Sequence, residues 1–170
     1  MVIKLIPFVI RKYRDCDSEQ SRDLWRELTE WHREIYEAPK IGGEHPEDQF
    51  DKHLAEVGPD QLWVAVSDAK VVGLIGLIFK GKDAEIEPIV VSKAYRNKGI
   101  GRKLIETVTS EARNKGVVFL NIGPVARNVK AIKFLFKQGF KNLGYLELFM
   151  DLTNKNWKPG PEIFGCRFTF

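Results

Sequence analysis

A basic turn with two glycines lies between a β-branched segment and an amphipathic segment, in the stretch VVSKAYRNKGIGRKLIE (residues 90–106). Gly99 and Gly101 let backbone N–H groups come close to a ligand, because glycine has no Cβ atom. A helix that starts at such a turn directs its unpaired N–H groups and the positive end of its dipole towards the same place. These residue types indicate either a solvated strand-to-helix turn or a cradle for a phosphate-bearing anion. The basic residues are Lys93, Arg96, Lys98, Arg102 and Lys103, and no acid lies between Glu87 and Glu106.

The charge of the chain is unevenly distributed along the sequence. The 170 residues carry a net charge of +4. Residues 88–146 hold twelve Lys or Arg and two acids, whereas residues 17–60 hold five bases and thirteen acids. A basic segment suits an anionic ligand and an acidic segment suits a cationic one, unless the charge serves only solubility.

Two common phosphate-binding motifs do not fit the turn. A P-loop requires Lys and then Ser or Thr after its second glycine, whereas Arg-Lys-Leu follows Gly101. The dinucleotide fingerprint requires a third glycine where this chain has leucine, and an acid at the end of the next strand, where this chain has Asn121. The remaining interpretation is that Arg96-x-x-Gly99-x-Gly101 leads directly into a helix whose N-terminus binds a pyrophosphate. The arginine and its basic neighbours would add charge-assisted contacts to this anion.

Hydrophobic periodicity predicts the elements that must hold this turn. Four helices are predicted. The first is capped by Asp17 or Ser18 and ends before Pro39, and the second, shorter one runs from about Pro46 to Val57. The third has Ile100, Leu104, Ile105, Val108 and Ala112 on one face, and the fourth has Ala131, Ile132, Leu135 and Phe136 on one face. The predicted strands are 5–13, 62–68, 71–79, 84–91, 117–123 and 143–152. The strands over 62–68 and 71–79 are expected to form a hairpin. This order predicts the α/β or α+β class, with a mixed sheet and helices on both faces.

Two segments in this order resemble the acetyl-CoA motifs of the GNAT N-acetyltransferases. EIEPIVVSKAYRNKGIGRKLIE (85–106) resembles the family's R/Q-x-x-G-x-G/A segment, and ARNVKAIKFLFKQGF (126–140) resembles its later Asn-x-x-Ala helix, with Asn128 and Ala131 in the matching positions. The similarity runs from about residue 62 to residue 152. It implies a GNAT-type mixed, mainly antiparallel sheet in a single domain over 1–153. The tail over 154–170 is expected to add a strand, because Cys166, Phe168 and Phe170 alternate as on a half-buried strand.

The resemblance also implies a reaction and a set of site residues. Acetyl-CoA would be the acetyl donor, and the acetyl group would pass directly to a primary amine. The strand that contains Pro88, a residue typical of an edge or bulge, would splay from its neighbour and hold the pantetheine arm. A backbone N–H near Ile89 or Val90 would polarise the thioester carbonyl, and Glu87 matches the general base. The implied cofactor-binding residues are Ile89, Val90, Val91, Arg96, Asn97, Lys98, Gly99, Ile100, Gly101, Arg102 and Asn128.

Two positions depart from the family pattern. Many relatives carry a tyrosine in the Asn-x-x-Ala helix as general acid for the leaving thiolate, where this chain has Leu135. Tyr145 is either a substitute donor or a residue that packs in a strand. Relatives that acetylate ribosomal protein N-termini often carry an acid where this chain has Asn121, which places the chain outside their usual pattern.

The acceptor is expected to meet the first two helices and the loop between them. The segment WHREIYEAPKIGGEHPEDQF (31–50) is rich in acids. Acids at the mouth of the site would attract a cationic small molecule or peptide, whereas the alternative is a set of solvated helix faces. Tyr36 and Asn121 are the residues expected on the substrate side.

Two other functions stay open at this stage. One is a catalytically weak acetyl-CoA sensor, which Leu135 favours, and the other is a nucleic-acid-binding module that uses the basic stretch 93–141. Cys16 and Cys166 are expected to be free thiols, and no metal spacing is present. The first apolar run, residues 1–10, is short and contains Pro7, and no segment has the length of a membrane span. A cytoplasmic protein without a signal peptide or a membrane partner is therefore expected. The tail either packs on its own sheet or reaches a second subunit, as in a homodimer.

Overall fold

The computed structural model describes residues 7–153 and 155–170. The chain forms two compact units, Met1–Gly123 and Pro124–Phe170. The beginning of the predicted first strand, residues 5 and 6, lies outside the described residues.

The first unit contains a five-stranded sheet in the order β1-β2-β3-β4-β5. The first four strands are antiparallel, and β5 joins β4 in parallel. The predicted hairpin between β2 and β3 is confirmed. Its turn residues Asp68 and Ala69 have φ values of 49° and 60°, a backbone that suits the right-handed twist of the paired strands. The strands are β1 (Val9–Lys12), β2 (Leu62–Ser67), β3 (Lys70–Lys80), β4 (Asp83–Val91) and β5 (Phe119–Asn121).

Helices cover both faces of this sheet, as predicted. They are α1 (Ser18–Tyr36), α2 (Asp48–Val57) and α3 (Ile100–Asn114). Leu74 belongs to the buried cluster that contains Leu24 of α1 and Phe50 of α2, whereas a Cβ on the preceding residue, Gly73, would touch Leu104 of α3. Because neighbouring strand residues point to opposite faces, α1 and α2 cover one face and α3 covers the other.

The start of α1 differs from the prediction. Asp17 occupies the N-cap position, but its carboxylate makes no capping hydrogen bond to the helix. It accepts two hydrogen bonds from Arg11, at 2.6 and 2.8 Å, and one from the N–H of Arg14 at 2.9 Å. The Arg11 guanidinium is the main reason why the pKa of Asp17 is lowered. The carboxylate therefore joins β1 to the turn before α1.

The second unit contains α4 (Val129–Lys137) and an antiparallel pair, β6 (Pro159–Ile163) and β7 (Cys166–Thr169). The predicted strand over 143–152 is wrong, because these residues pair with no described strand. Alternating apolar residues form a strand only where another strand supplies hydrogen bonds. The tail instead pairs with itself and contributes two strands.

In the described ranges, no helix combines the length and the apolar character needed to cross a membrane.

Candidate functional site

A β-bulge interrupts the pairing of β3 and β4. One residue of β3, Gly76, lies opposite two residues of β4, Glu87 and Pro88. A Cβ atom on Gly76 would lie 2.1 Å from the carbonyl oxygen of Glu87, so the position accepts only glycine. A bulge turns the side chains around it. Here it leaves the Glu87 side chain exposed and buries that of Pro88.

The strands β4 and β5 separate soon after they meet. Their ladder joins only Asp83–Glu85 to Phe119–Asn121, whereas β4 stays paired with β3 as far as Val91. Beyond Glu85, β4 therefore has a ladder partner on one side only among the described strands. The resemblance to the GNAT family implied that this strand separates from its neighbour, and the separation lies here. It leaves the edge of β4 at Ile89, Val90 and Val91 without strand hydrogen bonds to β5.

The basic turn has the backbone conformation that its glycine indicates. Gly99 has a φ of 84° and precedes the first residue of α3, and Asn97 has a φ of 62°. A Cβ on Gly99 would meet no described atom within 4 Å. Glycine is therefore needed for the left-handed backbone rather than for lack of space within the protein. Ile100, 1% exposed, holds the first turn of α3 against the sheet.

The backbone N–H groups of this turn are not used by the protein itself. In the described part of the chain, no atom accepts a hydrogen bond from an amide of residues 97–102, and the first such bond runs from Lys103 to the Gly99 oxygen at 3.0 Å. A helix N-terminus leaves these donors unpaired and adds a partial positive charge. The turn can therefore bind an anion such as a diphosphate.

Arg96 makes contacts within the protein that the sequence did not predict. Its Nε donates to the carbonyl oxygen of Val91 at 2.9 Å, and its guanidinium lies 3.8 Å from the carboxylate of Glu27 and 5.7 Å from the ring centre of Trp31. The N–H of Lys93 also donates to Glu27. Arg96 and Glu27 therefore attach the turn to the end of β4 and to α1.

The other basic side chains of the turn lie near its surface. The Lys98 ammonium donates to the Ala94 carbonyl oxygen at 2.8 Å. Arg102 and Lys103 both pair with Glu106, at 2.8 and 3.4 Å, and these contacts lower the pKa of Glu106, with Arg102 as the larger cause. Exposed pairs of this kind contribute little to stability, so the two cations can turn towards an anion at low cost.

The remaining predicted residues belong to three different elements. Tyr36 is the last residue of α1, and Asn121 ends β5, where its Nδ2 donates to the Ala84 oxygen at 3.5 Å. In the second unit, Asn128 caps α4, because its Oδ1 accepts from the N–H of Ala131 at 3.2 Å. This bond gives the Asn-x-x-Ala spacing a structural cause, and a cofactor contact of Asn128 stays a prediction.

Leu135 and Tyr145, in the second unit, are the two positions that bear on a general acid for the leaving thiolate. Leu135 is buried on α4, and it has no proton to donate. Tyr145 is 86% exposed and lies outside any strand, so its predicted packing in a strand core is wrong. Its role as a donor stays a prediction.

The acids expected to meet the acceptor are partly paired with arginines. Arg22 contacts Asp48 and Asp51, Arg26 contacts Asp23 and Glu47, and Arg33 contacts Glu30. An open depression of about 480 Å³ remains at the end of α1, lined by Glu30, Arg33, Glu34, Glu37 and Pro39. More acids than bases line it, which suits a cationic group.

Sequence reasoning missed Glu27, Gly76 and His53. A glycine inside a strand is a known sign of a bulge, so Gly76 was accessible from the sequence. Glu27 and His53 contact the site through residues more than thirty positions away, and no local pattern marks such pairs.

The sequence profile of the acetyltransferase (GNAT) family matches residues 25–140. The chain belongs to this family. The match covers more than half of the chain, and it contains the bulge, the open edge of β4 and the basic turn.

Individual acetyltransferases are similar to parts of the chain. Human N-acetyltransferase 8 is 31% identical over 100 residues, which are 54% of this chain and 43% of the relative. Streptothricin acetyltransferase of Escherichia coli is 36% identical over 90 residues, 52% of this chain and 51% of the relative. The chain thus spans about half the length of the curated relatives it matches.

The structural comparison supports the GNAT fold. The PaiA N-acetyltransferase of Thermoplasma acidophilum, solved in complex with coenzyme A, superimposes with a TM-score of 0.68 over 80% of this chain and 91% of that protein. The two sequences are 22% identical.

Proposed function

We propose that the chain is an acetyl-CoA-dependent N-acetyltransferase that moves an acetyl group directly to a primary amine of a cationic small molecule or peptide. One observation carries the proposal. In a GNAT chain, the backbone N–H groups of residues 97–102 lie at the start of α3 and have no acceptor among the described residues.

The turn is proposed to bind the diphosphate of the cofactor. Backbone donors at a helix N-terminus stabilise phosphate oxygens directly, and the helix dipole adds to the attraction. Lys98 and Arg102 lie next to these donors and supply charge-assisted contacts. Arg96 keeps the turn in place through Val91 and Glu27.

The open edge of β4 is proposed to bind the pantetheine arm and the thioester. Beyond Glu85 this edge has no ladder with β5, so its backbone groups can pair with an extended ligand as a neighbouring strand would. A backbone N–H near Ile89 or Val90 would stabilise the negative charge that forms on the thioester oxygen.

Glu87 is proposed to take the proton of the acceptor ammonium, directly or through a water molecule. Only a free amine has the lone pair that attacks the thioester carbon. The nitrogen then forms a bond to that carbon, and the carbon–sulfur bond breaks. The nitrogen loses its second proton to water to give the neutral amide, and the sulfur leaves as a thiolate that takes a proton from water, since Leu135 offers none. Glu87 is exposed next to the open edge, where a small acceptor can reach it.

A cationic acceptor is supported by the depression at the end of α1. Three acids, Glu30, Glu34 and Glu37, and one base, Arg33, line it, and Tyr36 is the last residue of the same helix. Acids at the mouth of a site raise the local concentration of a cationic substrate, an effect that salt weakens.

The buried Leu135 favours a second candidate, a protein that binds acetyl-CoA as a sensor and transfers the acetyl group slowly or not at all. A thiolate that leaves without a general acid is a poorer leaving group, which lowers the rate without affecting binding. The two candidates differ in turnover, and they share the cofactor site.

Calorimetry and a thiol-release assay test the proposal. Titration with acetyl-CoA is expected to give saturable binding, and a single-stranded oligonucleotide is expected to bind more weakly at the same salt concentration. In the assay, polyamines and basic peptides are expected to release coenzyme A faster than neutral amines, with the difference decreasing as salt is added. Binding without release for every amine supports the sensor. Absence of acetyl-CoA binding contradicts both candidates.

A further inference from the structure

The carbonyl group of Glu87 has a hydrogen-bond partner on the helix layer. His53 of α2 is 8% exposed, and its Nε2 atom lies 3.2 Å from the Glu87 carbonyl oxygen. A carbonyl oxygen only accepts hydrogen bonds, so Nε2 carries the hydrogen and donates it. The contact joins α2 to the place where the ladder between β3 and β4 is interrupted.

Aromatic neighbours hold the imidazole ring of His53 in position. The ring centre lies 5.3 Å from that of Trp25 on α1, and the Trp25 ring lies 6.0 Å from the fully buried Phe50. In a close-packed interior a change of rotamer requires its neighbours to move. The Nε2–H group is therefore fixed in its direction towards the bulge.

The Glu87 carbonyl is also confined from the β3 side. Gly76 leaves it just enough room, since a Cβ there would lie 2.1 Å from the oxygen. The oxygen thus lies between a strand that makes space for it and a helix that donates to it. The same peptide group sets where the Glu87 side chain leaves the backbone and where β4 continues towards Val91.

We infer that His53 is a positioning residue of the acetyl-transfer site, which holds the Glu87 carbonyl and so fixes the direction of the Glu87 side chain and the course of Ile89–Val91. The inference rests on the proposed function, in which these residues meet the amine and the thioester. A displacement of reacting groups by 1 Å can cost about 100-fold in rate. The turn over 97–102, which is proposed to bind the diphosphate, is held by Arg96 and Glu27 instead, so loss of the His53 contact is expected to affect the transfer step more than cofactor binding.

Three substitutions separate the hydrogen bond from the packing of the ring. His53→Gln places an amide N–H the same number of bonds from Cα as Nε2, His53→Asn places it at the Nδ1 position, and His53→Phe keeps an aromatic ring without a donor. We expect kcat to fall on the order of 10- to 100-fold in the Phe and Asn variants, and to be close to wild type in the Gln variant. The KM for acetyl-CoA is expected to change by a smaller factor than kcat in the Phe and Asn variants, because the proposed diphosphate site lies on the turn held by Arg96, and to be close to wild type in the Gln variant.

The hydrogen bond itself has a direct readout that needs no activity. Glu87-Pro88 is the only Glu-Pro dipeptide in the sequence. Protein labelled with ¹³C-carbonyl glutamate and ¹⁵N-proline therefore gives one carbonyl resonance with a one-bond coupling to nitrogen, that of Glu87. Loss of the donor is expected to move this resonance upfield in the Phe and Asn variants, and the Gln variant is expected to restore it. A resonance that does not move in His53→Phe overturns the inference, and so does a moved resonance with wild-type kcat.

Failure of the proposed function gives a different result. If the wild-type protein releases no thiol with any amine, the transferase proposal is wrong, and amide hydrogen exchange at Ile89–Val91 decides the inference together with the resonance. Faster exchange in His53→Phe and wild-type exchange in His53→Gln support it. The same exchange in wild type and both variants overturns it.

Discussion

The Nε atom of Arg96 donates a hydrogen bond to the carbonyl oxygen of Val91 at 2.9 Å. Val91 is the last residue of β4, and Arg96 lies five residues further along, at the start of the glycine turn. One side chain therefore spans the segment between the strand proposed to hold the thioester and the turn proposed to hold the diphosphate. The ion pair of Arg96 with Glu27 also connects this strand and this turn to α1.

Arg96→Met is expected to weaken acetyl-CoA binding about tenfold, because a charge-assisted hydrogen bond of 1.5–3 kcal/mol no longer holds the turn. Isothermal titration calorimetry measures the change. Arg113→Met is the matched control, since Arg113 is an exposed base at the opposite end of α3. Equal affinities for the two variants would contradict a specific role for Arg96.

Gly99→Ala is expected to weaken acetyl-CoA binding as well as lowering stability by about 1–2 kcal/mol, the cost of a left-handed backbone at alanine. Gly116→Ala provides the control. Gly116 follows the other end of α3 with a φ of 74° and no described atom within 4 Å of its Cβ position. Thermal unfolding should show similar losses for both variants, and only Gly99→Ala should lose affinity. Similar losses of affinity would mean that the turn binds nothing.

Glu87→Gln is expected to lower the transfer rate most at low pH, where little of the amine is free without help from a base. The measurement is the pH dependence of kcat/KM in the thiol-release assay. Glu85→Gln tests the same substitution two residues earlier on β4, where the carboxylate pairs with Lys80. An unchanged profile for Glu87→Gln would remove this residue from the mechanism.

Asp17→Asn is expected to lower the free energy of unfolding at pH 7 by about 1.5–3 kcal/mol, because Arg11 loses a charged, buried acceptor. The folded state lowers the pKa of Asp17 below its unfolded value near 3.8. The stabilisation is thus complete above that value and is lost as the pH falls through the folded pKa.

Urea unfolding at several pH values tests this sign. The wild-type protein should lose part of its advantage over Asp17→Asn as the pH falls below about 4. Asp15→Asn, a neighbouring exposed carboxylate, should change stability by less than about 0.5 kcal/mol. An advantage that grows at low pH would show that the pKa shift has the opposite sign.

Ser21→Ala is expected to stabilise the protein by about 1 kcal/mol. The Ser21 hydroxyl is fully buried on α1, and no atom of the described chain forms a hydrogen bond with it. Burial of an unpaired hydroxyl costs free energy that alanine avoids. Ser110→Ala, at an exposed position of α3, measures the part that comes from helix propensity alone. A larger gain at Ser110 than at Ser21 would contradict the explanation.

Much of the site was accessible from local patterns. The five residues predicted for one face of α3 are the five that the structure buries, because a periodicity of 3.6 residues identifies the face of a helix whatever it packs against. The glycine turn was likewise predicted to lead directly into that helix, whereas the positive φ of Gly99 was not predicted.

Contacts between distant segments were not accessible in this way. From the sequence, Asp17 was one of two residues predicted to cap α1, and Arg96 was predicted to contact the cofactor. In the structure, both side chains form hydrogen bonds within the protein. The alternation over 143–152 predicted a strand, yet β6 and β7 pair with each other instead. Each of these outcomes depends on which hydrogen-bond partner the fold brings to within about 3 Å of the residue. A local pattern indicates only which kinds of partner a residue can bond to.

The sequence by itself therefore determined the family motifs, the helix faces and the chemistry that the glycine turn can perform, because these follow from residue type and spacing along one segment. Only the tertiary structure decided that Glu27 holds the turn, that Gly76 makes room for the Glu87 carbonyl and that His53 donates to it. The physical reason is that a hydrogen bond or a steric contact exists only where the fold brings two distant atoms together.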